Sequence, residues 1–250
     1  MALRTKAVLS SEKAKEFAKT FEQLIYRHSA WKVWQDFVDL CAISISNAVD
    51  KREAVWKTRE KEFMSIRSSY TEDEFSVFVS LFSITIHALE DDPAQDFLGE
   101  LYMKLNFGDG WKGQFFTPFH ISEMMARITI GEKTQEEIKE KGYISVNDPA
   151  CGSGCMLIAF AQAYKSEIKE AYHNSVLFVG QDIDPVVAKM CYIQLSLLGC
   201  AGYVAVGNSL TNPIEGNGMP ADYDDTDIWF TPVYFSEVWT ARRIINNCLA

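Results

Sequence analysis

Val146-Asn147-Asp148-Pro149-Ala150-Cys151-Gly152-Ser153-Gly154-Cys155-Met156 carries three signals in succession. The apolar approach Tyr143-Ile144-Ser145-Val146 reads as a short buried strand. An Asp-Pro and a turn of small residues follow. Then Met156, Leu157, Phe160, Ala163 and Tyr164 recur on one face of a helix. A strand, a glycine turn and a helix bring backbone N–H groups and a helix N-terminus close to a ligand. Gly152, Ser153 and Gly154 have too little bulk to keep that ligand away. Asp148 stands at the carboxyl end of the strand, where open α/β sheets bind ligands. A carboxylate there repels phosphate and attracts a cationic or hydroxylic group. The turn is neither a dinucleotide fingerprint, since Leu157 replaces the third glycine, nor a P-loop, since no Gly-Lys-Ser/Thr follows.

Downstream, the chain alternates. Val176-Leu177-Phe178-Val179-Gly180 reads as a second strand, ending at Gln181-Asp182-Ile183-Asp184-Pro185. Pro185 is well placed in the first turn of a helix running to Leu198. Tyr203-Val204-Ala205-Val206 is a third strand, ending at Gly207-Asn208-Ser209-Leu210. A turn-rich loop from Thr211 to Thr226 contains Asp222, Asp224 and Asp225, and Asp227-Ile228-Trp229-Phe230 is a fourth strand. Strand–helix alternation implies a parallel sheet with right-handed crossovers. Asp148, Asp182, Asn208 and Thr231 are then expected on one rim. Asp182 is placed to accept the hydroxyls of a ribose, and Asp184, immediately before Pro185, is the better N-cap.

Upstream, the first hundred residues read as successive helices. Phe17, Phe21, Leu24 and His28 lie on one apolar stripe, with His28 as a core or rim histidine, and Trp31, Trp34, Val38 and Ile45 form another. Lys51 to Arg67 has mixed charge, including Arg52 and Arg59, and reads as a solvated helix face rather than a DNA-backbone contact. Thr71 with Glu74 forms a capping box, and Asp91-Asp92-Pro93 ends that helix. After a glycine-rich break at 106–113 comes Gly113-Gln114-Phe115-Phe116-Thr117-Pro118, then a helix with Ile121, Met124, Met125 and Ile128. Its adjacent aromatics fit either interdomain packing or the wall of a ligand pocket.

The chain has 250 residues, 48% of them hydrophobic, which is enough for a sizeable core. A net charge of -10 argues against nucleic-acid binding by bulk electrostatics. The six cysteines form no Cys-x-x-Cys pair and the histidines are scattered, so no metal site is expected. Cys151 and Cys155 read as small packing residues. No signal peptide or membrane span is evident, and a cytoplasmic protein is the expectation.

Four ordered motifs resemble those of the adenine-N6 DNA methyltransferases. Asn147–Gly154 is similar to their cofactor motif, and Gly113–Pro118 resembles the segment preceding it in the modification subunits of type I restriction–modification systems. Gly180–Pro185 and Gly207–Leu210 follow in the family's order, so the likeness spans about residues 95–235. It implies a class I methyltransferase, Rossmann-like α/β fold over 111–250, with a helical N-terminal domain over 1–110. It implies S-adenosylmethionine as cofactor. Phe116, Thr117 and Pro118 would hold the methionine end. Asp148, Ala150, Gly152 and Gly154 would form the floor beneath it, Asp148 taking the α-amino group. Asp182 would hold the ribose and Asn208 the adenine edge.

The implied activity is methylation of DNA adenine, with DNA reached through a further C-terminal region or a specificity subunit. The family's catalytic Asn/Asp-Pro-Pro-Tyr/Phe is replaced by Thr231-Pro232-Val233-Tyr234, so Thr231, Pro232 and Tyr234 are the catalytic candidates, Tyr234 as a stacking platform for a flipped base. Asn212-Pro213 is no substitute, having no aromatic after it. Two other readings stand beside this one: a methyltransferase-like module that binds cofactor and a partner subunit without transferring methyl groups, and a nucleotide-dependent oxidoreductase. The sheet is expected to be incomplete at its C-terminal end, with Trp229 and Trp239 as apolar surface awaiting a cover.

Overall fold

The computed structural model describes residues 9–105, 116–214 and 227–249. Gly113–Phe115, the aspartates at 222, 224 and 225 and the first residues of the chain lie outside them. Five helices come first: α1 (Glu12–Phe21), α2 (Ala30–Val49), α3 (Glu53–Arg67), α4 (Glu72–Asp91) and α5 (Phe97–Lys104). Side-chain oxygens of Ser11, Ser29, Thr71 and Asp96 cap α1, α2, α4 and α5. Thr71 and Glu74 form the expected reciprocal box. The α1 stripe buries Phe17 and Phe21 edge-on against Trp34, and Phe17 also meets Phe37 and Phe97. His28 is a rim residue, its ring 4.6 Å from that of Tyr70.

The α/β part follows as α6 (Phe119–Thr129), α7 (Glu132–Lys141), β1 (Ile144–Asp148), α8 (Cys155–Ile168), β2 (Val176–Asp182), α9 (Pro185–Leu197), β3 (Ala201–Val206), β4 (Ile228–Phe230) and α10 (Glu237–Leu249). The sheet order is β1-β2-β3-β4. β1 pairs in parallel with β2 and β2 with β3, so the first three strands point their carboxyl ends the same way. Val176 and Phe178 face α8 and α9 in the large core, which is continuous with the aromatic cluster of the N-terminal helices. Leu177 and Val179 face the opposite side, in a second core with Tyr234 and Trp239.

β4 corrects the expectation of an all-parallel sheet. It pairs antiparallel with β3, Ala205 opposite Ile228 and Tyr203 opposite Phe230. A parallel neighbour needs a crossover, usually helical, whereas the Gly- and Pro-rich segment after β3 has no helical periodicity. The chain re-enters the sheet beside the place it left, the Asp227 carbonyl accepting from Val206 N at 2.9 Å.

Two arginines secure β4 from the helical side. The buried Arg59 guanidinium lies 3.7 Å over the Trp229 ring and donates to the Ile228 carbonyl at 2.9 Å and to Ser46 Oγ at 2.6 Å. Burial pushes its pKa down to about 10. Arg52 donates to Asp50 Oδ2 at 2.6 Å. Both therefore serve packing within the chain, which corrects the solvated-face reading at these positions. Trp229 and Trp239 are likewise covered from within rather than awaiting a cover. Tyr192 and Arg59 pack on Trp229, while Trp239 donates to the His173 carbonyl at 2.6 Å. Arg59→Ala strips these contacts and is expected to lower the unfolding free energy by about 3–5 kcal/mol. Urea titration measures it, and a loss under about 1 kcal/mol would contradict the role given to Arg59.

Candidate functional site

The parallel pairing of β1 and β2 continues past Asp148 into the turn, where Cys151 N donates to the Gln181 carbonyl at 3.0 Å. Gly152, at φ +55°, then points its N–H at Asp182 Oδ2, 2.9 Å away. Gly154, at φ +98°, opens α8. A Cβ there would come 2.9 Å from Cys191 Sγ, so both the backbone angle and the packing require glycine. The other Asp182 oxygen accepts from Asp184 N at 2.9 Å, and Asp184 caps α9 by accepting from Val186 N and Val187 N. Capping and rim duties are thus divided between these two aspartates.

Asp148 and Asp182 occupy one rim of the sheet. Asp148 Oδ1 accepts from Ala150 N at 3.1 Å. Burial, and secondarily the nearby Asp182, pushes the Asp148 carboxyl above the usual carboxylate range. Two carboxylates in such a place favour a cation. Beside Asp148 a cleft of about 470 Å³ opens between α6 and α8, lined by Thr117 and Ala150 and by the apolar Met125, Met156 and Phe160. Asp182 and Asn208 lie beyond it along the rim. Asn208 follows β3, its Oδ1 accepting from Leu210 N at 2.9 Å.

The Phe116-Thr117-Pro118 segment is held against the turn. The Phe116 ring lies 3.3 Å from where a Cβ on Gly152 would be, and 5.5 Å from the Tyr102 ring. The Cys155 thiol donates to the Thr117 carbonyl at 3.3 Å, and Pro118 starts α6. Phe116 thus packs at once on Tyr102 of α5 and on the glycine turn. Phe116, Thr117, Pro118, Asp148, Ala150, Gly152, Gly154, Asp182 and Asn208 are therefore brought to one region. The cleft walls Met125, Met156 and Phe160 escape a sequence reading, because an apolar stripe looks the same whether it is covered or lines a cleft.

Thr231, Pro232 and Tyr234 are not brought there. Because β4 runs backward, its end lies at the opposite rim. Thr231 is fully buried; its hydroxyl donates to the Cys200 carbonyl at 2.7 Å and accepts from Gly202 N at 2.9 Å. Pro232 begins a short 3₁₀ turn. Tyr234 is buried, stacked on Phe230 at 4.9 Å beneath the Arg243 guanidinium. Its ring has no free face for a base, and these three residues do not share a site with the rim carboxylates.

Residues 94–248 match the family model described as N-6 DNA Methylase. The chain belongs to this family. N-6 DNA methylase relatives include the type I restriction enzyme MpnII methylase subunit of Mycoplasma pneumoniae, 36% identical over 104 residues, which are 42% of this chain and 17% of that protein. The MjaVIII methylase subunit of Methanocaldococcus jannaschii is 31% identical over 130 residues, 49% of this chain and 20% of that one. The chain thus matches about a fifth of the length of these N-6 DNA methylase relatives. A solved Listeria monocytogenes chain described as a class I S-adenosylmethionine-dependent methyltransferase covers 81% of this chain and 55% of itself, at 18% identity and a TM-score of 0.41. A superposition that loose does not separate one α/β arrangement from another. Among the described residues, no acidic, histidine and cysteine cluster could hold a metal, and no helix is long and apolar enough to cross a membrane.

Gly154→Ala is expected to destabilise the protein by about 1–3 kcal/mol, because it combines a disfavoured backbone angle with a clash. Thermal denaturation against wild type measures the loss, and an unchanged midpoint would contradict it.

Proposed function

We propose that this chain supplies the S-adenosylmethionine-binding part of an adenine-N6 DNA methyltransferase of the type I modification-subunit kind. The observation that carries the reading is the meeting of Asp148 and Asp182, from adjacent parallel strands, at a turn whose glycines admit close approach. The residues suit the cofactor. The Asp148 carboxylate answers the α-ammonium of the methionine end, with Phe116, Thr117 and Pro118 beside it. Gly152 and Gly154 expose backbone beneath it, next to Ala150. Each Asp182 oxygen takes one backbone N–H, which leaves lone pairs to accept from ribose hydroxyls. The Asn208 amide nitrogen remains as a donor to the adenine edge. Bound there, the cofactor supplies an electrophilic methyl group. Family membership supports DNA adenine as the acceptor. The acidic chain would meet DNA through a further region or a specificity subunit, in the cytoplasm, and the division into a helical part over 1–110 and a cofactor part over 111–250 fits that use.

One observation favours a second reading, in which the chain binds cofactor but does not transfer the methyl group unaided. The sequence has no Pro-Pro pair, and Thr231 and Tyr234 are buried at the far rim. The acceptor for the target amine would then come from a partner subunit.

Calorimetry with S-adenosylmethionine tests the pocket. Wild type is expected to bind saturably, Asp182→Ala about tenfold or more weaker, and Tyr234→Phe within about twofold of wild type. No saturable binding by wild type would overturn the proposal. Radiolabelled methyl transfer to DNA by this chain alone is expected to stay at background, and robust transfer would defeat the second reading. The raised Asp148 pKa gives a pH signature. The ionised form pairs with the ammonium, so affinity is full above that pKa and declines as pH falls through it. Asp148→Asn is expected to bind weakly, with that decline removed.

A further inference from the structure

Behind the glycine turn lies a polar cluster that the cofactor contacts do not use. Asp96 is half-buried at the start of α5, and its carboxylate takes three donors: Gly99 N at 2.9 Å, Gln194 Nε2 at 2.8 Å and the Ser153 hydroxyl. Gln194, fully buried in the apolar helix α9, donates from the same nitrogen to the Ser153 carbonyl at 2.9 Å and accepts from Leu98 N at 3.1 Å. All the hydrogen-bonding groups of this amide except one carbonyl lone pair are thereby used. Ser153 is gripped twice, by its hydroxyl from α5 and by its carbonyl from α9. Gly99 is what lets α5 come this close, since a Cβ there would fall 2.4 Å from Ser153 Oγ.

Packing alone does not call for such a cluster. Even partial removal of a carboxylate from water carries a penalty, and burying the Gln194 amide adds to it, whereas apolar residues of similar volume commonly pack as well or better. What the ionic cluster adds is a fixed position. Neighbouring residues of the turn are pinned from opposite sides: Gly152 forward to Asp182, Ser153 backward to Asp96 and Gln194.

We infer that Asp96 and Gln194 are positioning residues for cofactor binding, acting through Ser153 to hold the glycine turn in its binding conformation. The inference rests on the S-adenosylmethionine reading of the rim. The α5 anchor belongs to the helical layer, so that layer sets the affinity of a site it does not enter.

The test is calorimetric titration with S-adenosylmethionine, at a temperature where circular dichroism shows each variant folded. Ser153→Ala is expected to weaken binding about fivefold and Asp96→Ala about tenfold or more. The double variant should bind no more weakly than Asp96→Ala alone, because both changes cut the same link. Asp96→Asn should stay within about threefold of wild type. Its amide oxygen still serves Gly99 and Gln194, and its amide nitrogen can donate to the Ser153 hydroxyl. Rescue by asparagine and non-additive affinities are effects that general loosening of the fold does not produce. Ser153→Ala and Asp96→Ala both binding within about twofold of a binding-competent wild type, or losing affinity additively, would overturn the inference and leave the cofactor reading intact. Failure of wild type itself to bind would remove both. If Asp96→Ala does not fold, Ser153→Ala decides alone: fivefold weaker supports the inference, and unchanged affinity overturns it.

Discussion

The hydrogen bond from Gly152 N to Asp182 Oδ2 ties the loop after the first strand to the end of the second, and the geometry of the site follows from it. It requires parallel strands, because only then do both carboxyl ends reach one rim. It requires the register that sets Asp148 opposite Gly180, which leaves Asp182 projecting just beyond. A slip of one residue would turn every side chain of the strand to the other face and separate the carboxylates. It also requires a left-handed residue at 152, where glycine carries no steric penalty. With those conditions met, two acids sit close enough for Asp182 to help raise the Asp148 pKa. That is unfavourable for the protein alone and favourable once a cation arrives.

The direction of β4 sets the other half of the molecule. Because β4 runs backward, Thr231 and Tyr234 become core residues of the second face instead of rim residues. Thr231 satisfies the backbone at the start of β3, and Tyr234 fills the space beneath α10. Residues that resemble part of a catalytic motif in sequence order are thereby given to stability. The rim keeps Asp148, Asp182 and Asn208 and, among the described residues, shows no acceptor from β4.

Much of this was legible in the sequence, because periodicity and turn chemistry are local. The strand–turn–helix at Asp148, the cap at Asp184, the Thr71 and Glu74 box and the succession of helices from α1 to α5 all read directly. α7 did not, since Glu132–Lys141 has Ile138 as its lone apolar residue and so no stripe to detect. The direction of β4 did not, because alternation along a strand carries no sense of direction; only the absence of a helical pattern before it hinted at a return. Arg59 looked like part of a solvated face, because sequence shows its charge and not the tryptophan it stacks on. Gln194 did leave a trace. A single amide in the otherwise apolar run Tyr192-Ile193-Gln194-Leu195 needs buried partners, and that need could have led to Ser153 and Asp96.

The arginines over β4 have a consequence for assembly. A sheet recruits another strand through unmatched main-chain groups at its margin. At β4 the Ile228 carbonyl is already taken by the Arg59 guanidinium, with Arg52 alongside. That main-chain acceptor is therefore closed to an incoming strand, and two charged side chains stand over this margin. Within the described residues β1 forms the opposite margin, with Ser145 and Asn147 exposed. Among the described residues the two margins of the sheet thus differ in character: arginine-capped at β4, and uncharged and exposed beside Asp148 at β1.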